Sequence, residues 1–217
     1  MDKPITILGA RGSGSAPVEA ALTLIGLPFE VIEQAPLALV GAGEPAYRLN
    51  PMRQAPALVF PGGELMTESA AMLIWLADRY PEARLAPPAI HRKRPAFLRW
   101  MSFVASAIYA LFWIRDDPSR LSDDPGGQAQ IRERTAERIA ECWRLMDDQV
   151  EPGLYLQGES IGVLDLYVTV ISRWGPQRRR FYEVAPKMTE VVRRVDAEPA
   201  LADFWAARFP FAEGWEG

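Results

Sequence analysis

The sequence predicts an α/β domain of about 80 residues followed by an all-helical domain, and three observations carry that reading. Short apolar runs alternate with a helical pattern up to residue 80. Prolines 81, 87, 88 and 95 then interrupt the chain, and beyond them apolar residues recur at steps of three and four with little strand signal.

The elements follow in order. The apolar run at 5–8 reads as a strand and residues from 15 to 25 as a helix. Gly26 stops that helix, and Pro28 stands ahead of a second strand, "FEVIE". After an irregular stretch, "PALVF", the turn "PGG" at 61–63 and "ELM" read as a hairpin of two short strands. From Thr67 to Tyr80 a helical pattern is apolar almost all round between Ala70 and Ala77, which predicts cover on more than one side and hence a homodimer. The domains are assigned to 1–82 and 93–217, joined by a linker at 83–92. Helices are expected at 93–115, 127–150, 162–175 and 186–207.

Composition narrows the function classes. With 49% apolar residues the chain can build a real core, and a net charge of −4 with a pI near 5.2 offers no basic face for nucleic acid. The arginine cluster at 178–180 is short and reads as a solvated loop or helix end. A single cysteine, Cys142, and a single histidine, His91, exclude an intrachain disulfide, a zinc cluster and a Cys/His nucleophile pair, so no metal site is expected. Cys142 falls on the apolar stripe Ile131, Thr135, Ile139, Cys142, Met146, Val150 and reads as a core residue. The N-terminus lacks the pattern of a signal segment and no run reads as long enough to span a bilayer. The expectation is therefore a soluble cytoplasmic protein with neither nucleic acid nor membrane as partner.

The stretch "ITILGARGSGSAPVEAAL" runs from a strand through a glycine- and serine-rich loop into a helix, a general anion-binding device because free N–H groups and the helix dipole converge there. A P-loop fails on Ser15 and Ala16, where lysine and a hydroxyl residue should follow Gly14. The dinucleotide fingerprint fails on Pro17, where its third glycine should stand.

The hairpin region decides the question. "LNPMRQAPALVFPGGELMTESAAMLIWLADRYP", residues 49–81, resembles the glutathione S-transferase family, with its Asn-Pro, its Gln, its X-Pro opening a strand and its Glu-Ser entering a helix. "GVLDLYVTVISRWGP" at 162–176 is similar to the buried helix of that family's second domain, so the resemblance spans nearly the whole chain. It implies a thioredoxin-like N-terminal domain, a helical C-terminal domain and glutathione as co-substrate.

The residues agree with that implication on their own chemistry. Pro56 cannot donate to a sheet ladder and belongs at the start of its strand. That leaves the Ala55 backbone free to pair with an extended peptide-like ligand. The resemblance makes the Ala55–Pro56 bond cis. Glu68 can accept from an ammonium and Ser69 can offer a hydroxyl to a carboxylate, which suits the γ-glutamyl end of glutathione; the alternative is a plain helix-capping pair. By the resemblance, Gln54 touches the glycyl carboxylate or the neighbouring backbone.

The guest of the 9–15 loop is then a thiolate. Moving a thiol pKa from about 8.5 to about 6.5 takes about 2.7 kcal/mol, and one hydrogen bond to a charge contributes about 1.5–3 kcal/mol. Two serines compete for that role. Ser15 is preferred for its place next to the helix start set by Pro17, and Ser13 is second. In the alternative, both serines only shape the turn. The family's cysteine-using members carry their thiol nearest to Gly14 here, so a cysteine mechanism is out.

The reaction this implies is attack by glutathione thiolate on a small apolar electrophile, with Tyr109 and Trp113 expected in the electrophile pocket. Competing readings are a glutathione-dependent disulfide reductase and a catalytically silent glutathione-binding or partner-docking module. Two departures from the family pattern stand out. Arg53 occupies a position where many relatives have glycine, and the usual Ser/Thr cap of the second-domain helix falls on Gly162.

Overall fold

One four-stranded sheet in the order β2-β1-β3-β4 organises the N-terminal part of the computed structural model, which describes residues 4–33, 50, 54–174 and 178–210. Arg53 lies outside the described residues. The strand β1 (Ile5–Gly9) pairs in parallel with β2 (Phe29–Glu33), an arrangement that needs the crossover helix α1 (Ala16–Ile25) between them. β1 is antiparallel to β3 (Ala57–Val59), and β3 forms the predicted hairpin with β4 (Leu65–Thr67). This is the thioredoxin-like arrangement.

α1 carries Pro17 in its first turn and ends at Gly26, whose left-handed backbone (φ 79°) returns its N–H to the carbonyls of Leu22 and Thr23. Leu22 of α1 is fully buried, as are Ile7 of β1 and Leu58 of β3. The helix α2 (Ser69–Arg79) buries Met72, Leu73, Leu76 and Ala77 on one face. Its other face is half-covered: Ile74 and Trp75 keep part of their surface, and Trp75 stacks on Phe60 at 4.9 Å.

The second region opens with a continuous helical rod made of α3 (Arg94–Phe103), a π-helical turn (Val104–Tyr109) and α4 (Ala110–Asp116). By length and composition this rod could cross a membrane, which corrects the reading that no run was long enough. Phe97, Trp100, Met101, Val104, Ile108 and Phe112, at steps of three and four, nevertheless turn one face into the core. The long helix α5 (Pro125–Asp147) starts at Asp124, whose carboxylate accepts the Gly127 N–H at 2.6 Å, and Cys142 is buried on its inner face.

The helix α6 (Val163–Ser172) is buried over its whole length and packs against both α1 and α2, so it joins the two regions. The Gly162 departure has a steric cause. A Cβ there would lie 2.7 Å from the Leu85 carbonyl oxygen, which accepts the Val163 N–H, so a serine or threonine cap does not fit. Asp165 still closes the cap by accepting the Gly162 N–H at 2.7 Å, and its other oxygen accepts from Leu156 at 2.8 Å. Burial pushes its carboxyl up to about 7 despite these donors.

The C-terminal pattern expected as one helix over 186–207 is two, α8 (Pro186–Asp196) and α9 (Ala202–Arg208), broken where Pro199 opens a 3₁₀ turn. They follow a short helix, α7 (Arg179–Val184), whose six residues are too few to show a period. Arg178 corrects the reading of the arginine cluster as solvated: it is fully buried, pairs with Asp196 and donates to the Thr169 carbonyl at 2.7 Å, while Arg179 and Arg180 pair with Glu183 at the surface. Arg208, at the end of α9, reaches back to the fully buried Glu19 of α1 and to Glu33 of β2.

Candidate active site

A cavity of about 990 Å³ opens between the sheet's loops and the helical rod. One wall is the 11–14 loop, Asn50, residues 54–56 and residues 67–70. The facing wall is Tyr109, Phe112, Trp113, Tyr167 and Trp174.

The loop owes its shape to its serines. Ser13 Oγ accepts from the N–H groups of Ala10 (3.3 Å) and Ser15 (3.2 Å), and Ser15 Oγ donates to the Ala10 carbonyl at 3.2 Å. The two hydroxyls lie 3.0 Å apart. Ser15 is fully buried and does not line the cavity, whereas Ser13 does. Of the two candidates only Ser13 therefore lies at the cavity, because proximity to a helix start does not fix which way a side chain turns. Ser15 Oγ is held by both the N–H and the carbonyl of Ala10, while Ser13 Oγ sits at the cavity side of the pair.

Across the sheet end, the Ala55–Pro56 bond is cis, and the Asn50 side chain donates to the Gln54 carbonyl at 2.6 Å just before it. Asn50 is buried, so the Asn of the Asn-Pro motif fixes the carbonyl that immediately precedes Ala55. Among the described residues no main-chain partner is seen for Ala55, which leaves its backbone open toward the cavity, and Gln54 is exposed beside it.

Glu68 has φ 69° and ψ 103°, a conformation sparsely populated by residues with a side chain and costing about 1–3 kcal/mol. That turn aims its exposed carboxylate into the cavity. Glu68 makes no side-chain cap to α2, so the plain capping alternative is not realised. Ser69 lies beside it with its hydroxyl donated to the Tyr167 hydroxyl at 3.1 Å, away from the role expected of it as a carboxylate donor. Its backbone N–H stays at the first turn of the helix.

On the facing wall, Tyr109 and Trp113 both line the cavity. Tyr109 packs edge-on against Trp174 at 4.8 Å and against Tyr167 at 6.2 Å. Trp113 is 46% exposed, with the Arg120 guanidinium 4.3 Å from its ring centroid. Trp174 donates its indole N–H to the Gly12 carbonyl at 2.7 Å, tying this wall to the serine loop. Sequence reasoning missed Tyr167 and Trp174, which read there only as members of a buried helix, and Arg11, which stands exposed at the rim.

Residues 15–79 match the family model for the glutathione S-transferase N-terminal domain. Over that N-terminal domain the chain is similar to the glutathione S-transferase family, and its fold over nearly the whole length is similar to that family's solved structures. It is 28% identical over 200 residues to an uncharacterized GST-like protein, YncG, of Escherichia coli K12, covering 92% of this chain and 96% of that one. Its fold is similar to a glutathione transferase homolog from Sulfitobacter solved with bound glutathione, with a TM-score of 0.81, 22% identity and coverage of 94% and 97% of the two chains. It is also similar to a glutathione transferase from Methylococcus capsulatus, with a TM-score of 0.76, 25% identity and coverage of 94% and 98%.

Proposed function

We propose that the protein is a glutathione transferase that binds glutathione along the Gln54–Pro56 segment and joins its thiolate to a small apolar electrophile. The observation that carries this is the single cavity shared by Ser13, Ala55 and Glu68 on one wall and Tyr109 and Trp113 on the other. A tripeptide backbone lies extended against Ala55, the Glu68 carboxylate takes its α-ammonium and the open N–H at Ser69 takes its α-carboxylate. Gln54 attends the glycyl end.

The Ser13 hydroxyl turns from Ser15 to the sulfur and stabilises the thiolate; Ser15 supports Ser13 and the loop. The thiolate then forms a C–S bond as the leaving group departs with its electron pair, while the cavity supplies proximity and a poorly hydrated environment. Tyr109, Trp113 and Phe112 give the electrophile an aromatic surface.

The reading extends to a homodimer, supported by the half-covered face of Phe60, Ile74 and Trp75, and to a cytoplasmic role in detoxification, in the compartment where thiols are kept reduced. Sedimentation of Trp75→Glu against the native chain tests the dimer.

Calorimetric titration of glutathione, with the ultraviolet thiolate absorbance of each complex, tests the central reading. Glutathione binding by the native chain, weakened in Glu68→Ala, is expected. A native chain that takes up no glutathione defeats it. Turnover of an aryl halide rather than a mixed disulfide separates transferase from reductase.

A further inference from the structure

We propose that Tyr109, a residue of the helical domain, donates its phenolic hydrogen to the glutathione sulfur, so that the thiolate is held from both domains at once. This rests on the glutathione reading above and adds to it a catalytic residue from outside the glutathione-binding domain.

The geometry is specific. A Cβ built on Gly14 would lie 1.9 Å from the Tyr109 hydroxyl oxygen and 3.2 Å from Pro56 Cδ. The phenol therefore occupies the space that a side chain at position 14 would fill, in the niche between the serine loop and the cis-proline. That niche adjoins Ala55, against which the proposed reading lays the glutathione backbone.

The hydroxyl is also without other employment. Among the described residues it makes no hydrogen bond, although neighbouring Tyr167 is bonded to Ser69 and Trp174 to Gly12. A half-buried phenol that leaves its hydrogen unshared is expected to find a partner when a ligand arrives. Its aim is fixed by the two edge-on ring contacts and by the π-helical turn that ends at Tyr109, a widening common at functional sites.

The charges around it keep it a donor. Burial, then the Glu68 and Asp116 carboxylates, push the phenol well above its ordinary value, and Tyr167 beside it is pushed up by burial too. Tyr109 thus holds its hydrogen throughout the range in which a bound thiol titrates.

The test is the pKa of bound glutathione, read by thiolate absorbance in the native chain, Tyr109→Phe and Gly14→Ala. The latter pushes the phenol aside while leaving residue 109 intact. Tyr109→Phe is expected to raise the bound-thiol pKa by about one unit, which from a value of about 6.5 is an about threefold loss of thiolate at neutral pH, with glutathione affinity within about threefold. Gly14→Ala is expected to raise it likewise and to add nothing in the Tyr109→Phe background. An unchanged thiol pKa in Tyr109→Phe, even with slowed turnover, overturns the proposal, since the phenol would then serve the electrophile. Additive shifts in the double variant overturn it as well. Absence of glutathione binding by the native chain is a separate result, seen before any variant is made, and ends the broader reading with it.

Discussion

The two walls of the cavity are built on different principles. The wall from the thioredoxin-like domain presents short polar groups and bare backbone: the Ser13 hydroxyl, the Ala55 main chain, the Glu68 carboxylate held at φ 69°. The wall from the helical domain presents aromatic surface: Tyr109, Trp113 and Trp174. Backbone recognition demands fixed spacing and particular residues, while aromatic surface can come from many positions. In the proposed reading the first wall takes glutathione and the second the electrophile.

The ion pair that ties the end of α9 back to α1 carries the largest expected effect. Arg208→Ala leaves the fully buried Glu19 carboxylate without its cation and should cost about 3–5 kcal/mol in urea unfolding. A loss below about 1 kcal/mol would mean that the domains are not joined through this pair.

Glu68 separates binding from stability on the polar wall. Glu68→Gly should weaken glutathione binding about 10- to 100-fold by calorimetry, the loss of one charged hydrogen bond. Because it relieves a strained backbone, it should leave the melting temperature unchanged or raised. A lower melting temperature would show that the φ 69° turn is not strained.

The two serines sharpen the division further. Ser13→Ala should lower the thiolate fraction about tenfold with affinity retained. Ser15→Ala should keep the thiolate and lose about 1–2 kcal/mol of stability, since its buried hydroxyl holds the Ala10 turn. The opposite assignment of effects would restore Ser15 as the activating group.

The smallest effect belongs to the aromatic wall. Trp113→Ala should raise KM for an apolar electrophile severalfold, from about 0.5–1.5 kcal/mol of lost stacking, and leave glutathione affinity untouched. A change in glutathione affinity instead would show that the two walls do not divide the ligands.

The sequence by itself determined the order of elements, the hairpin, the crossover helix and the identity of the polar wall. Each is written in local pattern: "QAP" before a strand, "TES" before a helix, glycine and proline at the turns. It could not say which of two nearby serines faces the cavity, because Ser13 and Ser15 differ by a turn of the chain that is set by the bonds to Ala10. Nor could it see that Arg178 is a buried cation, since its partner Asp196 lies 18 residues on and its carbonyl acceptor Thr169 is in another helix. The break at Pro199 was audible as a proline but not as two helices. Only tertiary structure set Tyr109 against Gly14 and Trp174 against Gly12, for those contacts join residues some 95 and 162 positions apart through the packing of α6 against α1 and α2. Local spacing encodes what a short segment does by itself; which side chain meets which across two domains is decided by the core that brings them together.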